Sequence, residues 1–372
     1  MKYSFSRITV KVGSNVLTRP DGTLDVTRMS ALVDQIAALH KDGVEVILVS
    51  SGAVAAGRNE VCPCHKLDSV DQRQLFSAVG QVKLINRYYE LFREHGIAVG
   101  QVLTMKESFS TRRHYLNQKN CMTVMLENGV IPIVNENDTV SVSELMFTDN
   151  DELSGLIASM MNAQMLLLLT NVDGIYNGSP SDPSSAVIPE IGRDQALDGF
   201  IQTSRSSFGR GGMLTKTSIA RKVADEGITV IIANGKREQV LPEIIRAEEL
   251  RLKEGGSGTL PFPYTRFVPS PSPASSIKKW IAHSEGFAKG VLHINRQAAS
   301  LLESDKAVSV LPIGITAVDG EFEKDDLVRI VGPDGQPIGV GKANCTSVQA
   351  RADMGQHGRK PVVHYDYLYI ES

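Results

Sequence analysis

A three-layer αβα fold, with an open, mainly parallel sheet followed by a small β-rich domain, is the class that this α/β sequence predicts. Three observations predict it. Short runs of Val, Ile and Leu, apolar on both faces, alternate with amphipathic stretches of helical period over the first two thirds of the chain. Several of those stretches stop at a glycine, where a left-handed cap is wanted. A stretch rich in Pro, Gly and Ser then interrupts the pattern at 255–276, and the remainder of the chain reads as short strands and turns.

Taken in order, strands are expected over 7–12, 44–50, 98–104, 130–135, 165–170 and 229–233. Helices are expected over 27–41, 71–95, 111–127, 151–161 and 213–226, with Gly43, Gly96, Gly129 and Gly227 just past four of them. Repeated strand–helix–strand units imply parallel pairing with helices on both faces. Residues 1–254 are therefore read as one domain, 255–276 as a linker and 277–372 as a second domain. In that domain Gly332-Pro333-Asp334-Gly335 separates two apolar runs and predicts a hairpin. Trp280, the single tryptophan, is expected to anchor its start.

Composition narrows the function. At 372 residues, 42% apolar and 22% charged, the chain has the make-up of an ordinary globular protein. A net charge of −3 points to neither nucleic acid nor an anionic membrane as the main partner. No apolar run approaches the ~18 residues that a membrane span needs. No charged-then-apolar leader opens the chain, and four cysteines do not make a disulfide framework, so a reduced cytoplasmic setting is expected.

Chemistry is expected beyond the carboxyl ends of the strands, where open parallel sheets bind ligands. The segment Phe208-Gly209-Arg210-Gly211-Gly212-Met213-Leu214-Thr215-Lys216 is a glycine-rich turn running into a helix, with a lysine in its first turn. Backbone N–H groups and a helix N-terminus favour a phosphate there. It is not a Walker A loop, because the lysine follows Thr215, and Leu214 breaks the dinucleotide pattern. Lys11 lies inside an apolar strand, where burial is costly unless an anion meets it; the plain alternative is a solvated strand end. Gly13 and Ser14 follow it after Val12.

Asp149-Asn150-Asp151, followed by Glu152, exceeds what a helix N-cap needs, since one such residue suffices. The surplus points to a ligand amine, a magnesium-bound nucleotide or a catalytic lysine. Ser50-Ser51-Gly52 ends a buried strand and can cradle a carboxylate or phosphate, or be only a cap and turn. Asn135-Glu136-Asn137-Asp138 is unusually polar directly after another such strand, and Thr170-Asn171 ends a third. Cys62-Pro63-Cys64-His65 lacks a second pair nearby, and no metal is expected there.

These residues together resemble the amino-acid kinase family with a C-terminal PUA domain, and within it the branch that phosphorylates glutamate. The resemblance covers nearly the whole chain. Its carriers are Val10-Lys11-Val12-Gly13-Ser14, Ser51-Gly52-Ala53-Val54-Ala55-Ala56-Gly57-Arg58, Val79-Gly80-Gln81, Asn135-Glu136-Asn137-Asp138, Asp149-Asn150-Asp151 with Leu153-Ser154, and Gly211-Gly212-Met213 with Thr215-Lys216. The resemblance implies the amino-acid kinase fold, a PUA barrel, and transfer of the ATP γ-phosphoryl group to the side-chain carboxylate of L-glutamate, with Mg2+ on the phosphates. It implies that Lys11 and Lys216 contact the phosphates. Glutamate would be bound by Ser51, Asp138 and Asn150, with Gly52, Asn135 and Asp149 beside them. The nucleotide would be bound by Gly13, Ser14, Thr170, Asn171 and the segment Arg210, Gly211, Gly212, Met213, Leu214, Thr215 and Lys216. Asp151, from its position, would hold the two lysines in place. Arg210 stands where the family often has threonine, and Asn171 where it often has aspartate.

The resemblance further implies inhibition by proline, a homodimer or homotetramer built through the kinase domain, and glutamyl phosphate reductase as a functional partner. PUA domains often bind RNA. From residue 275 onward, however, 11 Lys and Arg stand against 12 Asp and Glu, a net of −1, so RNA binding is not expected here. Two rivals stay open at this point: a kinase for another small carboxylate, and a non-catalytic binding protein built on the second domain.

Overall fold

The computed structural model describes residues 3–109, 111–140, 147, 149–179, 182, 184–193, 195, 212–254, 262–271, 280–281, 287–304 and 308–370. The chain forms two compact units: Met1–Ser108 with Leu116–Pro273, and Phe109–Tyr115 with Ala274–Ser372.

The first unit runs β1 (Arg7–Val12), α1 (Ser14–Leu17), α2 (Val26–Lys41), β2 (Glu45–Ser50), α3 (Ala53–Arg58), α4 (Ser69–Glu94), β3 (Val99–Thr104), α5 (Arg112–Glu127), β4 (Ile131–Glu136), α6 (Asn150–Met160), β5 (Met165–Thr170), β6 (Glu190–Ile191), α7 (Met213–Asp225), β7 (Thr229–Asn234), α8 (Val240–Glu254) and β8 (Thr265–Phe267). Its sheet has the order β3-β4-β2-β1-β5-β7-β8-β6, and β3 through β7 are parallel. Successive side chains of these strands alternate between two apolar layers. Leu167 and Leu169 join Val10 and Val12 against α2, α4 and α8, whereas Leu166 and Leu168 join Val230 and Ile232 against α6 and α7. Lys11, between Val10 and Val12, therefore belongs to the α6/α7 side. The chain leaves β1 toward β2 on one side and returns through β5 on the other, so the polar loops open at a switch point.

Caps match the local sequence. Asp25, Asp68 and Asp149 accept backbone N–H groups at the starts of α2, α4 and α6. Gly43, Gly96, Gly129 and Gly227 all have positive φ, from 69° to 88°. Glycine matters most where α3 crosses α4. A Cβ on Gly57 would lie 1.8 Å from the Phe76 carbonyl oxygen, and one on Gly80 would lie 1.8 Å from that of Ala53. The two backbones touch, which sets α4 beside the end of β2. Gly80→Ala is expected to destabilise the chain by about 3 kcal/mol or more, since backbone cannot yield as a side chain can. A thermal melt within 2 °C of the parent, on the order of 0.5 kcal/mol, would contradict this.

The segment 255–276, expected as a linker, differs in part. Thr265–Phe267 forms β8, antiparallel to β7 and parallel to β6. Buried Arg266 reaches Glu248 on α8 at 2.8 Å and Glu190 on β6 at 3.2 Å. The prolines lie outside the three residues that pair with β7 and β6, so they cost the ladder no bonds and composition alone misreads the strand.

The second unit holds β9 (Gly290–Ile294), α9 (Arg296–Leu302), β10 (Ile315–Gly320), β11 (Leu327–Val331), β12 (Pro337–Ala343), α10 (Ser347–Asp353) and β13 (Val363–Ile370). They make a separate mixed sheet of order β10-β9-β11-β12-β13 around Leu292, Val328, Ile330 and Leu368. The predicted turn closes the β11–β12 hairpin, with Gly335 N–H donating to the Gly332 carbonyl at 3.1 Å. Trp280 is buried, and its indole N–H donates to the Phe109 carbonyl at 3.1 Å. Among the described residues no helix is long and apolar enough to cross a membrane.

Candidate active site

A cleft of about 610 Å3 opens at the carboxyl ends of β1, β2, β4 and β5. Lys11 enters it from β1 and is only 5% exposed. Its Nζ lies 2.5 Å from Asp151 Oδ1, while the Nζ of Lys216, from the first turn of α7, lies 2.8 Å from Asp151 Oδ2. One carboxylate thus bridges two ammonium groups that are distant in sequence. Burial alone would raise the Asp151 pKa, but the two lysines outweigh it and hold the carboxyl well below its usual range. Burial likewise pulls Lys216 down, yet Asp151 and Asp149 raise it further, so the net direction is upward. The cluster carries a net charge of about +1, taken as two ammonium groups and one carboxylate. A buried triad of this kind contributes little to stability, and perturbed groups in a cleft point to function.

Three successive residues at the start of α6 do three different things. Asp149 caps the helix: its Oδ1 accepts from the Asp151 and Glu152 N–H groups at 2.8 and 3.1 Å. Asn150 ties loops together, its Nδ2 lying 3.0 Å from the Ser50 carbonyl, Ser51 Oγ and Asn135 Oδ1. Asp151 bridges the lysines. Two acceptors here, Asp149 Oδ2 and Asn150 Oδ1, are buried without a hydrogen-bond partner among the described residues. Burial first, and then the neighbouring Asp151 charge, push Asp149 up to about 6. A cationic N–H donor entering the cleft would satisfy both atoms.

Of the serine pair after β2, Ser51 lines the cleft, whereas Ser50 is fully buried with its hydroxyl 3.0 Å from Tyr88 OH. Gly52 sits between β2 and α3 at φ 98°, a conformation that side chains resist. Asn135 donates to Gln81 Oε1 at 2.8 Å, and Glu136 Oε1 accepts from the Phe147 N–H at 3.0 Å. Asp138 is paired with Arg73 of α4, whose Nε lies 2.7 Å from its Oδ1. Arg73 was not among the residues singled out from the sequence. A signal existed: it heads the inward stripe Ser77, Gly80, Leu84, Tyr88 and Leu91 at helical spacing, where an arginine needs a partner.

The end of the cleft around Gly13 and Gly212 is built largely from backbone. Gly13 N–H donates to the Leu169 carbonyl, and a Cβ on Gly13 would lie 3.2 Å from that oxygen and 3.7 Å from Lys11 Nζ. Ser14 begins α1 beside it, and Thr170 and Asn171 line the same cleft. Gly212 caps α7 in an extended conformation; Met213, Leu214, Thr215 and Lys216 form its first turn. Arg210 and Gly211 lie outside the described residues. The cleft therefore combines a backbone-lined pocket, a positive cluster and a carboxylate- and amide-rich far end. That arrangement can bind a polyphosphate and an amino acid side by side.

Comparison with known proteins identifies the family. The profile of the Amino acid kinase family matches residues 6–234, and that of the PUA domain matches residues 290–365. Glutamate 5-kinase of Bacteroides thetaiotaomicron is 72% identical over 371 residues, covering 100% of both chains. Glutamate 5-kinase of Chlorobaculum tepidum is 47% identical over 368 residues, 98% of each chain. That of Methylococcus capsulatus is 38% identical over 352 residues, 94% of this chain and 90% of its own. The chain belongs to the amino acid kinase family and carries a PUA domain after its kinase module.

Proposed function

We propose that the chain is a glutamate 5-kinase: it transfers the γ-phosphoryl group of ATP to the side-chain carboxylate of L-glutamate, giving γ-glutamyl phosphate and ADP. This is the first step of proline biosynthesis. The observation that carries the reading is the Asp151 carboxylate held between the Lys11 and Lys216 ammonium groups at the mouth of the phosphate pocket. Phosphoryl transfer spreads charge over three equatorial oxygens, so fixed cations and positioning supply most of the acceleration. A carboxylate is already ionised at neutral pH and needs no general base. No histidine lines the cleft among the described residues.

In this reading a glutamate oxygen attacks the γ-phosphorus, the bond to the β-phosphate oxygen breaks, and the leaving charge stays on ADP. Lys11 and Lys216 face the migrating group, and Asp151 fixes both. Ser14 and Gly212 present backbone to the phosphates, while Gly13, its N–H held by the Leu169 carbonyl, keeps the space beside Lys11 Nζ free of a side chain. Mg2+, when bound, neutralises phosphate charge. Asp151 is occupied by lysines, so phosphates and water would supply the metal's ligands. The acceptor's α-amino group lies toward Asp149, Asn150 and Asp138.

ATP-dependent hydroxamate formation, measured in parallel with glutamate, aspartate, acetylglutamate and carbamate, tests the assignment. Turnover confined to glutamate is expected, and L-proline in the same assay should compete with it. A better rate with any other acceptor would overturn the substrate. Asp149 adds a pH dependence. Its protonated form, populated below about pH 6, cannot pair with an ammonium. The KM for glutamate should therefore rise as pH falls from 7 to 5, by up to about tenfold per unit. Asp149→Asn should have a high but flat KM over that range, and a sloping one would remove Asp149 from the acceptor site.

A further inference from the structure

We propose that Arg73 is a positioning residue for the acceptor: its guanidinium holds Asp138 and Glu136 so that the Asp138 carboxylate is set to receive the α-ammonium group. This rests on the glutamate reading above and names a residue that reading does not use. Arg73 lies one turn inside α4, with a side chain 15% exposed, and it lines the cleft. Its Nε and Nη2 both meet Asp138 Oδ1, and Nη2 is also 3.4 Å from Glu136 Oε2. Glu136 in turn accepts the Phe147 N–H, just ahead of the α6 cap. One planar group thus connects α4, the loop after β4 and the approach to Asp149-Asn150-Asp151.

The charges explain why a cation is needed. Glu136, Asp138 and Asp149 all line the cleft and are at least half removed from water. Without a cation among them, repulsion and lost hydration would turn Asp138 outward and leave the loop unpinned. Lysine keeps the charge but cannot reach two carboxylates with a rigid fork. Arg73 is engaged by carboxylates, whereas Lys11 and Lys216 gather at Asp151. Its loss should therefore register on the acceptor and not on the nucleotide.

Steady-state kinetics of the full chain with R73Q, R73K, D138N and the R73Q/D138N double variant test this. R73Q is expected to raise the KM for glutamate roughly 30-fold, as for a lost charged hydrogen bond, with kcat and the KM for ATP within about threefold. R73K should recover part of that loss, and the double variant should be no worse than the poorer single one, because both act through one contact. Multiplicative losses in the double variant would overturn the proposal. So would a parallel fall in kcat, both KM values and the melting temperature, which is the signature of a mere tie for α4. Should R73Q not fold, R73K and its double with D138N carry the same comparison. A parent chain with no glutamate-dependent turnover would sink the acceptor reading itself, and is recognised before any variant is made.

Discussion

Replacing Lys11 or Lys216 by alanine is expected to lower kcat about a thousandfold, with the KM for glutamate changed little. The magnitude follows from charge. One ammonium ~4 Å from a phosphoryl oxygen contributes on the order of 4 kcal/mol at an effective dielectric of 20, and that is three powers of ten in rate. A helix N-terminus offers nearer ~1 kcal/mol, so the glycine-lined backbone around Gly13 and Gly212 should position more than it accelerates. Each ammonium is held by the same Asp151 carboxylate, at 2.5 and 2.8 Å, so neither can compensate for loss of the other by swinging across. Single-turnover measurement at saturating ATP isolates the chemical step. A loss below tenfold in either variant would remove that lysine from the reaction.

Asp151→Asn is expected to lower kcat by about a hundredfold or more at pH 8, and to move the alkaline limb of the pH profile downward. Removing one partner of a buried pair costs about 3–5 kcal/mol, because the remaining charge is left uncompensated. The direction follows from the groups themselves. Burial pulls the Lys216 pKa down; Asp151 is the main influence raising it. With a neutral amide in its place, burial dominates and Lys216 gives up its proton at lower pH. In the proposed reaction the protonated form is the active one, so activity present at pH 6 should fade as pH rises, earlier than in the parent chain. A kcat profile from pH 6 to 10 with an unmoved alkaline limb would show that Asp151 does not sustain the lysine charge.

The central strands of the parallel core were legible because they are apolar on both faces, as a doubly covered sheet requires, whereas β3 at the edge exposes Gln101 and Leu103. Glycines after α2, α4, α5 and α7 marked helix ends for an equally local reason, since each adopts positive φ. Strand β8 was not legible. Three residues among prolines are too few to show a period of two, and their pairing with β7 is a tertiary matter. The helix crossing at Gly57 and Gly80 also left no periodic trace, because what matters there is the absence of atoms.

In the site, Lys11 stood out as a charge inside an apolar strand, and the surplus of polar residues before α6 stood out against the single cap a helix needs. The division of labour among Asp149, Asn150 and Asp151 did not, because it depends on which way the first helical turn points each side chain. Arg73 stayed hidden for a further reason. An arginine on an amphipathic helix ordinarily reads as part of the solvated face, and its carboxylate partners lie 63 and 65 residues away.

In the proposed reaction a glutamate carboxylate oxygen attacks the phosphorus directly, with fixed cations in place of a base. L-Glutamate labelled with 18O in the γ-carboxyl group, incubated with ATP and hydroxylamine, tests it most directly, by mass analysis of the released phosphate. Direct attack predicts one labelled oxygen in each phosphate released, carried over when hydroxylamine displaces it from the acyl carbon. Unlabelled phosphate would mean that water, not the acceptor, takes the phosphoryl group, and would exclude direct transfer.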